Sequence, residues 1–365
     1  MKPAHIFLTL LTLCLLAAPA AAAAGSGTAA DPYQITTAAE LQSMNNNLAA
    51  HYKLMNNIDL NGVTWTPIGT SSAGFFGVFD GNGKTISNLQ ISSTTQSTGF
   101  FGGITSGAVV KDVTFQDCTV SSTPYWTGTV FGSIIMSTAN HDMATIDNVD
   151  CVRCAVQASG NSVGAIGGLI HTGAVVDVID CDVSYASVEC TSGNHVGAIG
   201  TVYGAAHAEI IRGSVSDSRF KASGINVGAI GHVGGAAYAG MTDTEIADCI
   251  FEASGNSVGA IGYVTGAASA SLNGVDVRNC VMKGTNHVGG IVGLVDKDYT
   301  NNIGSHVSAT DCSVTDCTIY ATSNYAGGVG GRIISTCTGV FDRCTVTGCT
   351  ILANTYAAGI CPAYS

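Results

Sequence analysis

Apolar residues along this chain come in short runs rich in Val and Ile, which small or polar residues interrupt every five to eight positions. The segment 275–282, Val-Asp-Val-Arg-Asn-Cys-Val-Met, is typical. Val275, Val277, Cys280 and Met282 share one face if the Arg-Asn step between them is a bend, and Asn tolerates the left-handed backbone of such a bend. The pattern therefore predicts short β-strands joined by tight corners.

A unit of 31 residues recurs without slippage between Ser187 and Leu294. Self-similarity at a period of about 20 to 50 residues indicates a stacked repeat fold, in which one unit cannot bury its apolar face alone. Each unit carries a block of the type Gly-Ala-Ile-Gly or Gly-Ile-Val-Gly. Such blocks, some of them degenerate, begin at Gly99, Thr129, Gly164, Gly197, Gly228, Gly259, Gly290, Gly327 and Ala358.

We expect an all-β fold, a single-stranded parallel β-helix (β-solenoid) of about nine coils with an N-terminal capping helix. Each coil would run strand, Asx bend, strand, glycine turn, strand, with bends at residues such as Asp117 and Asp248. If the chain winds once per repeat, Ile199, Ile230 and Ile261 form one continuous column. Glycines are expected where the backbone turns sharply or successive coils crowd one another. These glycines are Gly164, Gly167, Gly197, Gly200, Gly228, Gly231, Gly259, Gly262, Gly290, Gly293, Gly327 and Gly330.

Three segments are expected along the chain. Residues 1–24 read as a secretory signal peptide, with Lys2 before an apolar core that is too short to span a membrane. Residues 25–70 would form an N-terminal cap of a short strand, a helix opened by the capping box at Thr37, and the first strands of the solenoid. Residues 71–365 would form the β-solenoid. No later segment is apolar over the length that a membrane span needs.

The segment Phe-Gly-Val-Phe-Asp-Gly-Asn-Gly-Lys-Thr-Ile at 76–86, followed by the glycine blocks, resembles prokaryotic surface proteins with GLUG repeats. The repeat of that family, Val-Gly-Gly-Ile-Val-Gly and a Val-x-Asn-Cys strand, is matched best by 288–293 and 277–280. The resemblance implies a secreted adhesin-like or envelope protein. Some members accompany secreted metallopeptidases, but this chain has no His-Glu-x-x-His motif, so the resemblance implies no peptidase here.

Composition supports an extracellular protein. Charged residues make up 10% of the chain, and the formal net charge is −12 with 47 glycines and 6 prolines. An acidic, sparsely charged chain argues against nucleic acid or an anionic membrane as a partner, since both reward basic patches.

Removing Cys14 with the signal peptide leaves thirteen cysteines, an odd number for a secreted chain. By the glycine register we expect Cys154, Cys249, Cys280, Cys317 and Cys349 in one inward column, with Ser187 and Ser218 filling its gap. Cys312 and Cys344 would stack in a second column. Two states remain open, buried thiols packed as small apolar side chains and disulfides between coils. Cys361 near the C-terminus is a possible intermolecular thiol.

Catalytic and metal sites find little support. Asp177, Asp180 and Asp182 form the densest acidic group, but aligned at the glycine blocks Asp180 faces Ile211 and Thr242, so no carboxylate cluster extends over neighbouring coils. His195 and His287 are three coils apart and cannot share an ion. We expect no cofactor and no metal.

These observations predict a secreted, non-enzymatic protein of the cell surface or envelope, adhesin-like and structural. It would self-associate, in a surface layer or sheath, through an open C-terminal coil, or bind other envelope proteins. One alternative is a glycan-binding module that uses exposed tyrosines such as Tyr263 and Tyr299. A second alternative is a polysaccharide-active β-helix enzyme, which would need converging carboxylates.

Overall fold

The computed structural model describes residues 23–136 and 142–362. The predicted signal peptide lies outside the described residues except for its last two positions. The described chain forms a parallel β-solenoid of about nine turns, which confirms the predicted fold. Ile199 pairs with Ile230, and Ile230 with Ile261, so the predicted isoleucine column is confirmed.

Three sheets run along the axis. Sheet 1 is the largest and is bent along its length. Its strands are Tyr33–Ile35, His51–Leu54, Ile58–Asp59, Val78–Ser87, Val109–Gln116, Ala144–Val152, Val175–Ile179, Asp182–Ser184, His207–Ile211, Ser214–Ser216, Tyr238–Thr242, Glu245–Ala247, Ser269–Asn273, Asp276–Arg278, His306–Thr310, Ser313–Thr315, Thr338–Asp342 and Thr345–Thr347.

Sheet 2 takes one strand from each coil. Its nine strands are Gln90–Ser93, Thr119–Ser122, Ala155–Ala158, Ser187–Cys190, Arg219–Ala222, Ile250–Ala253, Val281–Gly284, Thr318–Ala321 and Thr350–Ala353.

Sheet 3 carries the glycine blocks. Its eight strands are Phe101–Thr105, Phe131–Ile135, Val163–Ile170, Val196–Tyr203, Ile230–Gly234, Ile261–Val264, Val292–Val295 and Gly330–Ile333. A separate ladder of Val288–Gly289, Tyr325–Gly327 and Tyr356–Ala358 precedes the sheet in the last coils.

Residues in the left-handed backbone region form the corners between strands. The predicted bends are confirmed, since Asp117, Asp248, Asp311 and Asp316 have φ angles of 55°, 54°, 53° and 53°. Asp and Asn adopt this region at lower cost than most residues. The ladder continues through the corner, because the Asp117 amide still donates to the carbonyl of Val152 in the next coil at 3.0 Å.

The N-terminal coil carries a short helix, α1 (Ala38–Gln42), followed by a 3-10 turn at Ser43–Asn46. The predicted capping box is confirmed, because the Thr37 hydroxyl accepts from the Glu40 amide and the Glu40 carboxylate accepts from the Thr37 amide. Leu41 and Met44 from these turns are fully buried in the core. The helix thus covers apolar side chains of the first coil.

The interior changes character along the axis. The N-terminal coils are filled by phenylalanines, among which Phe100 and Phe101 meet edge to face with ring centroids 4.9 Å apart. The middle coils use Val, Ile and Ala, with one further stacked aromatic pair, Phe220 and Phe251, at 5.1 Å. Parallel stacking places equivalent side chains one above another, so each column must balance its own volume.

Candidate functional site

The glycine blocks lie on sheet 3, and none of the twelve predicted glycines has a positive φ. They stand where neighbouring coils approach closely. A Cβ added to Gly228 would lie 2.4 Å from the carbonyl oxygen of Gly259, and one added to Gly231 would lie 2.6 Å from that of Gly200. These glycines were expected either at sharp backbone turns or at close contacts between coils, and the structure places them at close contacts.

Three of the twelve glycines are one position off the expected register, because residues are inserted within their blocks. Gly167 pairs with Ile199, and Gly330 pairs with Val292. Gly290 is displaced because Gly289, the residue before it, aligns with Gly259. The glycines that take the expected places are Gly168, Gly289 and Gly331.

The displaced Gly167 has a packing role. A Cβ there would lie 2.0 Å from the ring of Phe131, which occupies the same column one coil earlier. Gly167 has no side chain, which leaves room for the large ring of Phe131 in the neighbouring coil. The shift of Gly167 from its predicted position therefore matches the volume of its neighbour.

The main cysteine column differs from its prediction at two positions. Ser187 pairs with Ala155 and is exposed, and the inward position between Cys154 and Ser218 belongs to Ala186. The cause is one extra residue in the turn 191–195, which shifts the glycine block against the column. Cys118, which the prediction missed, extends the column by one coil. The members of the column are Cys118, Cys154, Ala186, Ser218, Cys249, Cys280, Cys317 and Cys349.

Cys312 and Cys344 stack in a second column, as expected, and Cys181 stands in that column four coils earlier than Cys312. All thirteen cysteines among the described residues carry free thiols. Burial raises the pKa of Cys181 to about 12 and that of Cys312 to about 11.

Each thiol that follows a left-handed corner points back to the strand it has just left. Cys249 donates to the carbonyl of Ala247 at 3.1 Å, and Cys280 donates to that of Arg278 at 3.2 Å. The Ser218 hydroxyl does the same to Ser216 at 2.6 Å. These side chains are therefore small, inward-facing donors that satisfy a carbonyl at a corner.

Cys361 is half-buried beside Gly330 and Phe341. Burial raises its pKa to about 11. Its pairing with another chain stays a prediction.

The acidic group at 177–182 lies on the outer surface, and its alignment differs from the expectation. Ile179, not Asp180, pairs with Ile211, so Asp180 stands beside Arg212. Arg212 donates twice to Asp180, at 2.8 Å for each bond, and thereby lowers the pKa of that carboxyl group. Asp182 accepts from the Ser214 amide at 2.9 Å. These carboxylates link coils, and the described residues contain no cluster of three or more His, Cys, Asp or Glu that could hold a metal.

A groove on the outer face of sheet 3 has the richest chemistry of the described surface. We call it the histidine–aromatic groove. It has a volume of about 280 Å³ and is lined by Tyr125, Trp126, Asn161, Ser162, Leu169, His171, His195, Thr201, Tyr203 and His232. No Asp, Glu, Lys or Arg lines it.

Two parallel columns build this groove. One runs along the corner that precedes sheet 3, where Trp126, Ser162 and His195 have φ angles of 68°, 65° and 66°. The other runs along the outward positions of sheet 3, where Thr201 pairs with His232. A left-handed backbone is unfavourable for a bulky residue such as Trp126, and the same corner imposes it on Asn226 and Ser257 in later coils.

Histidine rings form the floor of the groove. The rings of His195 and His232 stack with centroids 4.4 Å apart and 17° between planes, and Tyr263 continues the stack at 5.5 Å from His232. The side-chain amide of Asn226 lies 2.9 Å from Nδ1 of His195. Burial lowers the pKa of His195 to about 4, and burial together with His195 lowers that of His232 well below its ordinary value. Both rings are therefore neutral at pH 7.

His232 carries an unusual feature. It is 8% exposed, and its Nδ1 is buried without a hydrogen-bond partner in the described structure. Buried polar atoms nearly always have partners, and an exception calls for an explanation.

The remaining walls are aromatic. Trp126 meets His171 edge to face at 5.8 Å, and Tyr203 lies 6.3 Å from His232 while being 48% exposed. The spacing of the glycine blocks predicts His232 at the position of Thr201 and Tyr263 in the neighbouring coils, and the register confirms this. The contact of His195 with His232 was not predicted, because the left-handed corner brings His195 of one coil against the strand of the next.

The tyrosines predicted for glycan binding are not among the residues that line the groove. Tyr263 and Tyr299 both donate to the same carboxylate oxygen of Asp296, each at 3.1 Å, and Asp296 is 5% exposed. Tyr299 belongs to the insertion at 295–306 and is 69% exposed. These contacts hold the insertion against sheet 3.

A second concavity, of about 720 Å³, lies near the N-terminal end between residues 62–65, 90–92 and 119–121. Its lining consists of Gly, Ser, Thr, aliphatic and Gln side chains, together with Trp65, which is 6% exposed and stacks on Phe100. It offers no exposed aromatic ring and no titratable side chain.

Among the described residues no helix has the length and apolar character needed to cross a bilayer. No family model matches the chain, so the GLUG resemblance stays an expectation.

Two curated proteins match part of the chain. Halomucin of Haloquadratum walsbyi is 31% identical over 153 residues, which are 37% of this chain and 2% of that protein. A protein of Evansella cellulosilytica named "Putative Gly-rich membrane protein" is 33% identical over 138 residues, which are 35% of this chain and 15% of that protein. The chain thus spans a small fraction of the length of these relatives.

One solved structure, described as a "putative immunoglobulin A1 protease" from Bacteroides ovatus, resembles the fold with a TM-score of 0.44 and 17% sequence identity. The likeness covers 92% of this chain and 85% of that one. It carries no information on function.

Proposed function

We propose that this protein is a secreted, non-enzymatic structural element of the cell surface or envelope, adhesin-like in character. The observation that carries the proposal is the uninterrupted stacking of about nine coils into one rod with alternating ion pairs along its outer surface. The partial match to a protein named as a membrane protein supports a place at the cell boundary.

The outer surface fits a role in spacing or display. On sheet 2, Glu189 pairs with Lys221 across neighbouring coils, and Lys283 pairs with Glu252. Such exposed pairs are each worth less than about 1 kcal/mol, but their alternation neutralises charge repulsion along the stack. The chemistry of the described surface thus serves cohesion between coils.

Association between copies is part of the proposal. In the last described coil, Phe341 and Cys349 are only partly buried, whereas Ala309 and Cys317 one coil earlier are covered. Partly buried apolar positions on a coil favour pairing with another β-coil, either from the same chain or from a second copy. Sedimentation velocity with and without a reductant tests it, and a monomer under both conditions would contradict association.

Imaging with an antibody on native cells tests the proposed location. We expect labelling of intact cells and recovery of the protein in the envelope or the medium. Recovery in the cytosol alone would contradict the proposal.

A further inference from the structure

We infer that the histidine–aromatic groove binds a neutral sugar ring, which stacks against Trp126 and Tyr203 and exchanges hydrogen bonds with the imidazoles of His195 and His232. This goes beyond the proposed structural role and does not depend on it. The argument rests on the size of the groove, the absence of charge in its lining and its aromatic and polar side chains.

The size of the groove limits the ligand. Its volume of about 280 Å³ is near the lower edge of the roughly 300–1,000 Å³ common for small-molecule sites. A ligand of one or two rings fits such a site, and a folded partner does not.

The absence of formal charge in the lining selects an uncharged ligand. A phosphate or carboxylate would be desolvated without a counter-charge, which is costly. A neutral imidazole has one nitrogen that donates and one that accepts, and since Asn226 engages Nδ1 of His195, Nε2 of that ring is the atom left for a ligand. A ring with many hydroxyl groups can use both roles at once.

The aromatic walls select a ligand with an apolar face. A pyranose presents C–H groups on its face and hydroxyl groups around its edge. Trp126 and Tyr203 both line the groove, and Tyr203 is 48% exposed.

A metal ion fits the histidines less well. Rings stacked at 4.4 Å and 17° direct their nitrogen lone pairs side by side, so these do not converge on one ion. Nδ1 of His195 is also engaged by Asn226. Metal binding is therefore an outcome that the experiment can reveal against the inference.

The chain has two tryptophans, and this provides the probe. Trp65 is buried against Phe100, so a Trp65→Phe variant leaves Trp126 as the reporter of the groove. This variant of the protein without its signal peptide is titrated with methyl glycosides of glucose, galactose, mannose and N-acetylglucosamine. We expect at least one to change the fluorescence of Trp126 with a Kd on the order of 1 mM.

Two variants and a control locate the site. Tyr203→Ala and His232→Thr should each weaken binding by a factor on the order of ten, and Thr is the residue that Thr201 already supplies at this position one coil earlier. Tyr185→Ala removes a tyrosine that is 60% exposed on another corner of the coil and should leave binding unchanged. Circular dichroism confirms that each variant is folded.

Three results would overturn the inference. These are no response to any glycoside at concentrations well above the millimolar range, equal weakening by Tyr185→Ala, and a response to zinc ions alone. Surface labelling of cells would be unaffected by any of them, so failure of sugar binding and failure of the structural role are distinguishable.

Discussion

Replacing Gly228 by alanine tests how tightly the coils are packed. The new Cβ would lie 2.4 Å from the carbonyl oxygen of Gly259, 2.8 Å from that of Ala260 and 2.8 Å from the amide nitrogen of Gly262. All three atoms are backbone, so no side chain can rotate away. The two coils would have to separate locally by about half an ångström or more.

The cost can be bounded from these contacts. Overpacking a well-packed interior costs about 1–3 kcal/mol. Alanine also restricts the unfolded chain, which returns about 0.4–1 kcal/mol. Separation would weaken the bond from the Ile230 amide to the Ala260 carbonyl, which is 3.1 Å long. We expect a net local loss of about 2 kcal/mol.

Hydrogen exchange measured by mass spectrometry is the appropriate assay, because a stacked array need not unfold as one unit. A loss of about 2 kcal/mol corresponds to exchange roughly 30-fold faster in peptides that cover 227–234 and 258–264. Gly359→Ala is the matched control, since a Cβ there meets no atom within 4 Å. Exchange of Gly228→Ala that equals the wild type would refute the close-contact explanation of the glycine blocks.

Three further outcomes follow from the corners and columns. Burial lowers the pKa of His195 to about 4, so the stability due to its neutral ring is present above about pH 6.5 and is lost as the pH falls towards 4. In urea unfolding at several pH values, His195→Asn should therefore lose less stability on acidification than the wild type. An equal loss of stability in both proteins would contradict this. Arg212 has a φ of 55° and an exposed ion pair, so Arg212→Asn should change the urea midpoint little, whereas Arg212→Ala should lower it. The precedent for asparagine is Asn148, which donates to Asp112 across coils at 2.9 Å, and equal effects of both substitutions would count against the strain argument. Brief alkylation of the folded protein, read by mass spectrometry, should modify only the partly buried thiols, which are Cys337, Cys344, Cys349 and Cys361. Modification of the buried Cys280 would show that alkylating reagents can enter the cysteine columns.

The architecture could be predicted because one period runs through the chain. Repetition of Ile199, Ile230 and Ile261 at constant spacing fixes the column and with it the stacking direction. The Asx bends were equally predictable, since few residue types adopt the left-handed region at low cost. Arg212 and Trp126 also have a left-handed backbone, and their residue types do not favour that conformation, so these corners could not be predicted.

Register could not be predicted wherever a coil changes length. Spacing between glycine blocks does not say whether an extra residue sits before the block, as in the turn 191–195, or inside it, as near Gly167. The first case moved Ser187 out of the cysteine column and the second moved Gly167 to the place of an isoleucine. Contacts between a corner of one coil and the strand of the next, such as His195 with His232, depend on this register and remained hidden.

The orientation of the inter-coil hydrogen bonds has a mechanical consequence. These bonds, such as that from the Ile199 amide to the Ala229 carbonyl, run along the rod rather than across it. A force that pulls the two ends apart would therefore break the hydrogen bonds of one coil at a time and detach successive coils, instead of breaking the bonds of many coils together. Each detached coil of 31 residues would add on the order of 100 Å to the extended length of the chain. Under tension the rod would therefore behave as a tether that lengthens in steps.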